Sequence, residues 1–135
     1  MMELRLANIA ATNSQNIAVL RLAQRMVNDS GKAGEDLATL ASRKGATLGA
    51  RVTVRQQKEV ARLSGLSGVE FDRSYVRLMV LSHKEDEGVY KWAAKNSRDA
   101  DLKTFAADTL ITVQDHLKMA QDIESTFKPA GISAK

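Results

Sequence analysis

Apolar residues recur in this chain at steps of three and four over nearly its whole length. That is the period of an amphipathic helix, and no strand-like alternation competes with it. A short first helix is predicted from Met2 to about Ala11, with Leu4, Ala7 and Ala11 on one face. Thr12-Asn13-Ser14 then supplies side-chain oxygens that can accept from the free N–H groups of a following helix. The second helix runs to about Lys44 on a stripe of Leu20, Ala23, Val27, Ser30, Gly34, Leu37 and Ala41, and Gly45 stops it. Gly31 and Gly34 weaken this helix, each by about 1 kcal/mol relative to alanine. They would also let a neighbouring helix come close.

Residues 46–51 read as a connector, followed by a short helix from about Val52 to Ser64. Ser64-Gly65-Leu66-Ser67-Gly68 breaks the pattern, and Ser67 with Glu70 has capping-box spacing. A fourth helix to about Asn96 carries Val76, Met79, Val80 and His83 on one side, with Phe71, Tyr75, Leu78 and Ser82 beside them. Tyr90 and Trp92 are expected to close the base of the fold. Ser97-Arg98-Asp99 makes a turn. The last helix has the cleanest stripe: Leu102, Ala106, Thr109, Val113, His116, Ala120, Ile123 and Phe127. Pro129-Ala130-Gly131 ends it.

Tight turns join helices one to two and four to five, which makes each pair antiparallel. Two such hairpins and a crossover predict an all-α four-helix bundle with an additional short helix. Residues 1–127 form one domain in this reading, and 128–135 a flexible C-terminal tail. The first helix has about 12 residues and its partner nearly 30, so at 1.5 Å per residue it covers less than half of it. The apolar stripe beyond Val27 needs a lid. A homodimer would provide one; alternatively, the chain begins inside a longer helix.

Composition narrows the chemistry. The chain has 135 residues, enough for one self-sufficient core. It has no cysteine, which removes disulfides, thiolate metal sites and thiol nucleophiles. No apolar run is long enough to cross a membrane, and Met1-Met2-Glu3-Leu4-Arg5 lacks a signal-peptide core. The net charge of +4 is scattered. Arg51, Arg55, Lys58 and Arg62 do line one face of the short helix, with Glu59 alone nearby. Such a face is either solvated or meets phosphates, anionic lipid or an acidic partner. No aromatic residues interleave it for base stacking, which argues against nucleic acid.

The two histidines are the sharpest candidates. His83 lies 16 residues before Asp99 and His116 lies 17 after it, both on apolar faces. Folding back at that turn brings the imidazoles to one height inside the bundle. Neutral imidazoles from facing helices could bind one transition-metal ion such as Zn, Cu or Ni. Asp86, three residues after His83, could orient its ring, with Glu87 as the alternative. Glu3 is the candidate third ligand. Counting from the first turn sets it about 9 Å in height from Ser30. The competing reading makes both histidines core residues bonded to each other, to Asp or Thr, or to the backbone. A di-iron centre needs Glu-x-x-His on its helices. Val80 and Val113 stand three residues before the two histidines and Val27 three before Ser30, which argues against one. Asp72 and Tyr75 read as structural anchors, a catalytic pair being the minor alternative.

Several blocks together resemble a bacterial domain-of-unknown-function family. They are Leu22-Ala23-Gln24-Arg25-Met26-Val27-Asn28-Asp29, the segment from Leu63-Ser64-Gly65-Leu66-Ser67-Gly68-Val69-Glu70-Phe71-Asp72-Arg73-Ser74-Tyr75 with His83 following, and Leu102-Lys103-Thr104-Phe105-Ala106 leading to His116-Leu117. The likeness runs from Glu3 to about Ile123. It implies a ferritin-like bundle and export to the bacterial envelope, periplasmic or at the outer membrane, and it implies no reaction. The family pattern has a histidine directly after the position of Asp29, where this chain has Ser30, and more helix before the position of Glu3. The expected function is therefore a non-enzymatic envelope protein acting by association with itself or an envelope partner. The alternatives are metal binding through His83 and His116, and binding of anionic surfaces through the basic face.

Overall fold

The computed structural model describes residues 2–45 and 53–127. They form five helices and no strand: α1 (Met2–Asn13), α2 (Ile17–Arg43), α3 (Val54–Ser64), α4 (Gly68–Asn96) and α5 (Ala100–Thr126). The expected connector over 46–51 and the expected tail over 128–135 lie outside the described residues.

Local chemistry sets the boundaries. Asn16 caps α2, its Oδ1 accepting from the N–H groups of Ala18 at 2.9 Å and Val19 at 3.2 Å. Ser14, expected to cap, instead accepts the Asn16 N–H through Oγ at 3.1 Å. Gly45 follows α2 with φ 66°, a left-handed conformation suited to glycine. Thr53 and Gln56 form a complete capping box at α3, and Asp99 caps α5 through Oδ1. Ser67 does precede α4, but its hydroxyl makes no capping bond, so the box expected with Glu70 is not formed. Gly68 adopts φ 60° directly after it. That left-handed step redirects the chain and carries the hydroxyl away from the first free N–H groups.

α1 with α2 and α4 with α5 form the two antiparallel hairpins. α2 packs on α5 and α1 on α4, which closes a ferritin-like four-helix bundle, and α3 lies against α1 and the start of α4. At the far end of α1, Asn13 Nδ2 donates to the carbonyls of Ser64 at 3.2 Å and Leu66 at 2.7 Å. This bond pair fixes the crossover onto the first hairpin.

The core fills the half of the bundle that α1 covers. Leu6, Val19, Leu22, Met26, Leu63, Phe71, Tyr75, Val76 and Met79 are fully buried there. Each such side chain contributes about 1.5–3 kcal/mol of hydrophobic stabilisation. Phe71 and Tyr75 stack at 5.5 Å. With 12 residues against 27 in α2, α1 spans about 18 Å of a roughly 40 Å bundle.

Several faces are rotated from their expected setting. α2 buries Val19, Leu22, Ala23 and Met26, then Leu40 and Ala41; Leu20, Val27 and Leu37 are half-buried. α1 buries Met2, Leu6, Ala7 and Ala10 in place of Leu4 and Ala11. The small residues of both helices leave the stripe broad enough to read one residue off. A Cβ added at Gly31 or Gly34 would meet nothing within 4 Å, so no helix uses them for close approach. Trp92 is 67% exposed and does not close the base. Tyr90 does turn inward, its ring 6.5 Å from that of Phe105.

Candidate metal centre

Nearly equal distances from the Asp99 turn bring His83 and His116 together, with ring centroids 5.5 Å apart and planes at 61°. Both lie on the inner faces of α4 and α5 and are buried, at 1% and 3% exposure.

Each ring commits one nitrogen. His83 Nδ1 stands 2.8 Å from the Met79 carbonyl, one turn earlier on α4. A carbonyl can only accept, so Nδ1 carries the hydrogen, and Nε2 is the ring nitrogen left on the Glu3 side. His116 Nε2 lies 2.7 Å from Asp29 Oδ2 on α2. The same carboxylate oxygen accepts from Arg25 Nε at 2.8 Å. Burial acts upward on the Asp29 carboxyl, but the hydrogen bonds from His116 and Arg25 outweigh it and hold the group below its usual range. Asp29 is therefore an ionised acceptor for His116 Nε2, and Nδ1 is the ring's remaining nitrogen.

Two carboxylates approach the free side of His83. Glu3, in the first turn of α1, places Oε1 3.9 Å from His83 Nε2. Asp86 sits one turn beyond His83 on α4. One ligand atom from each of Glu3, His83 and Asp86 lies within 4.8 Å of the others. Burial, and after it the negative charge of Glu3, push the Asp86 carboxyl up to about 6. Two acids thus share a partly desolvated spot beside the His83 ring, and a cation bound between them would relieve their mutual repulsion.

A cavity of about 200 Å³ adjoins this cluster, lined by His83, His116, Asp29, Ser30, Tyr90 and Thr109 among others. Glu3 and Asp86 also face a wide open groove of about 1500 Å³ flanked by α3 and α4. The acid pair therefore stands between the solvent side and the histidine side.

Sequence reasoning placed Asp86 behind His83 as the group orienting its ring. The Met79 carbonyl does the orienting, and Asp86 presents a ligand atom beside Glu3. Glu87 is turned toward α5, where it accepts from Gln114 at 3.1 Å and lies 3.8 Å from Lys91. Glu3 and Ser30, set apart by residue counting, line the same cavity. Asp29 was missed as a histidine partner; its one signal was its position directly before Ser30 in the family-like block. Tyr75 is fully buried, its hydroxyl 3.6 Å from Met26 Sδ, and burial, then the Glu3 charge, push its phenol up. Asp72 is 4% exposed with Oδ1 lacking any hydrogen-bond partner. No hydrogen bond joins it to Tyr75 among the described residues. Of the basic face, Arg51 lies outside the described residues. Arg55 and Lys58 are exposed, and Arg62 pairs with Glu59 at 2.9 Å.

Fold and site together define an all-α helical bundle with a partly buried histidine–carboxylate cluster between α1 and α4. The chain belongs to the family described as Domain of unknown function (DUF4142), which matches residues 1–123. Among solved structures it is similar to the crystal structure of a DUF305 fragment from Deinococcus radiodurans, with a TM-score of 0.81 at 18% identity. That match covers 93% of this chain and 87% of the other, and it is a likeness of fold. No curated protein matches the chain. Among the described residues, no helix is long and apolar enough to cross a membrane.

Proposed function

We propose that this protein binds a single divalent transition-metal ion at Glu3, His83 and Asp86. The observation that carries the reading is the convergence of three ligand atoms from two helices within 4.8 Å, around a ring whose other nitrogen is already held. Metal-binding imidazoles characteristically donate their second N–H to a backbone carbonyl or a carboxylate. Metal–ligand bonds of about 2.0–2.2 Å set donor atoms roughly 3 Å apart. The 3.9 Å between Glu3 and His83 therefore closes with a small side-chain movement. The ion would join α1 to α4, and the protein acts as a binder rather than an enzyme. Equilibrium dialysis against Zn²⁺ and Mn²⁺ tests this. One ion per chain is expected, with loss of about a hundredfold in affinity for His83→Ala. Equal affinities for the two proteins would end the idea.

A second reading is favoured by Leu81, Val89 and Trp92, which are 45%, 63% and 67% exposed on one outer face of α4. We infer that this face associates with a second copy of the chain or with an envelope partner, in the periplasmic or outer-membrane location that the family resemblance implies. Sedimentation at micromolar concentration should give a dimer, and a monomer would refute self-association.

A further inference from the structure

We propose that His116 is the fourth ligand of the centre, entering through Nδ1 while Asp29 holds Nε2, and that the site thereby selects nitrogen-preferring ions such as Zn²⁺, Cu²⁺ and Ni²⁺ over Mn²⁺ and Mg²⁺. The inference rests on the metal-binding reading above and names the class of ion it takes.

Four observations carry it. His116 is 3% exposed and lines the same cavity as Glu3, His83 and Asp86. Here Nε2 is bonded to Asp29 at 2.7 Å, and Nδ1 makes no hydrogen bond among the described residues. Asp29 is itself anchored by Arg25 at 2.8 Å, so the carboxylate, the ring and the cavity form a fixed sequence from surface to interior. A carboxylate behind an imidazole sets its tautomer and raises its strength as a donor to metal.

The ring spacing fits a shared ion. With metal–nitrogen bonds of about 2.0–2.1 Å and a near-tetrahedral angle, two imidazoles on one ion have centroids roughly 5.3 Å apart. The observed separation is 5.5 Å. Two imidazoles and two carboxylates suit Zn²⁺, Cu²⁺ and Ni²⁺, whereas Mn²⁺ and Mg²⁺ prefer oxygen.

Electron paramagnetic resonance of the Cu²⁺-loaded protein counts bound imidazoles, and competition dialysis ranks the ions. Two imidazoles are expected in the wild type and one in His116→Gln. His116→Gln should lower Zn²⁺ affinity about 10–100-fold while changing Mn²⁺ affinity less than about threefold, and retained Mn²⁺ binding shows that the variant is folded. Asp29→Asn should keep two imidazoles yet lower Zn²⁺ affinity about tenfold, the usual effect of removing the group behind a ligand. One imidazole in the wild type, with His116→Gln binding Zn²⁺ as tightly as the parent, overturns the fourth ligand and leaves the three-residue centre standing. Absence of any metal binding by the wild type overturns both.

Discussion

Replacing Asp86 by asparagine in the metal-free protein isolates the electrostatic cost of the centre. The carboxyl is pushed up to about 6 from 3.8, by burial first and by Glu3 second. At about 1.4 kcal/mol per unit, that shift corresponds to roughly 3 kcal/mol. Water reaches part of the side chain, which reduces the figure to about 1.5 kcal/mol. The folded state holds this proton more tightly than the unfolded chain does. The stabilisation is therefore complete below about 3.8 and is lost as pH rises through about 6. Asparagine does not titrate. The stability of Asp86→Asn minus that of the wild type should climb by about 1.5 kcal/mol between about pH 4 and pH 7, then level off. Urea unfolding followed by far-ultraviolet circular dichroism, in chelator and across that pH range, measures the difference. A flat or falling difference would refute the claim that the acid pair carries uncompensated charge. Saturating Zn²⁺ should reverse the order, because an ion that binds the folded wild type adds stability by mass action.

Three further outcomes follow from the contacts. His116→Leu would be neutral or stabilising if the imidazole were merely tolerated in the core. The 2.7 Å bond to Asp29 gives the ring a charged partner instead, so a loss of about 1.5–3 kcal/mol in chemical denaturation is expected. Asn13→Ala removes both bonds to the Ser64 and Leu66 carbonyls and should cost about 1–2 kcal/mol, with faster amide exchange over residues 63–67. Asp72→Ala removes a buried oxygen that has no partner. It should be neutral or stabilising by up to about 1 kcal/mol in thermal melts, and a loss above about 2 kcal/mol would show that the carboxylate is needed.

The fold and the meeting of the two histidines could be read from the sequence for one reason: register propagates reliably across a tight turn. His83 and His116 are almost equidistant from Asp99, so their meeting needed no knowledge of the rest of the chain. Glu3 and Asp29 belong to the other hairpin. Their height depends on how the crossover seats, and the bond pair from Asn13 to the Ser64–Leu66 turn decides that. A bond across more than 50 residues leaves no local periodic trace. Asp86 stands beside Glu3 and His83, while the helix backbone holds the Nδ1 of the ring that Asp86 was expected to orient. The Ser67 box failed for a local reason, the left-handed Gly68 beside it. Trp92, expected to close the base, faces outward because of helical phase. At about 100° per residue, nine steps from His83 carry it to the opposite wall of α4, whereas the seven steps to Tyr90 bring that ring back toward the cavity.

The position of Trp92 has an optical consequence. It is the sole tryptophan of the chain and stands 67% exposed. Its fluorescence therefore samples water along the outer wall of α4, and denaturant should move the emission wavelength very little. A second surface settling on that wall would shift the light toward the blue. The chain carries an intrinsic indicator of contact that is nearly blind to unfolding.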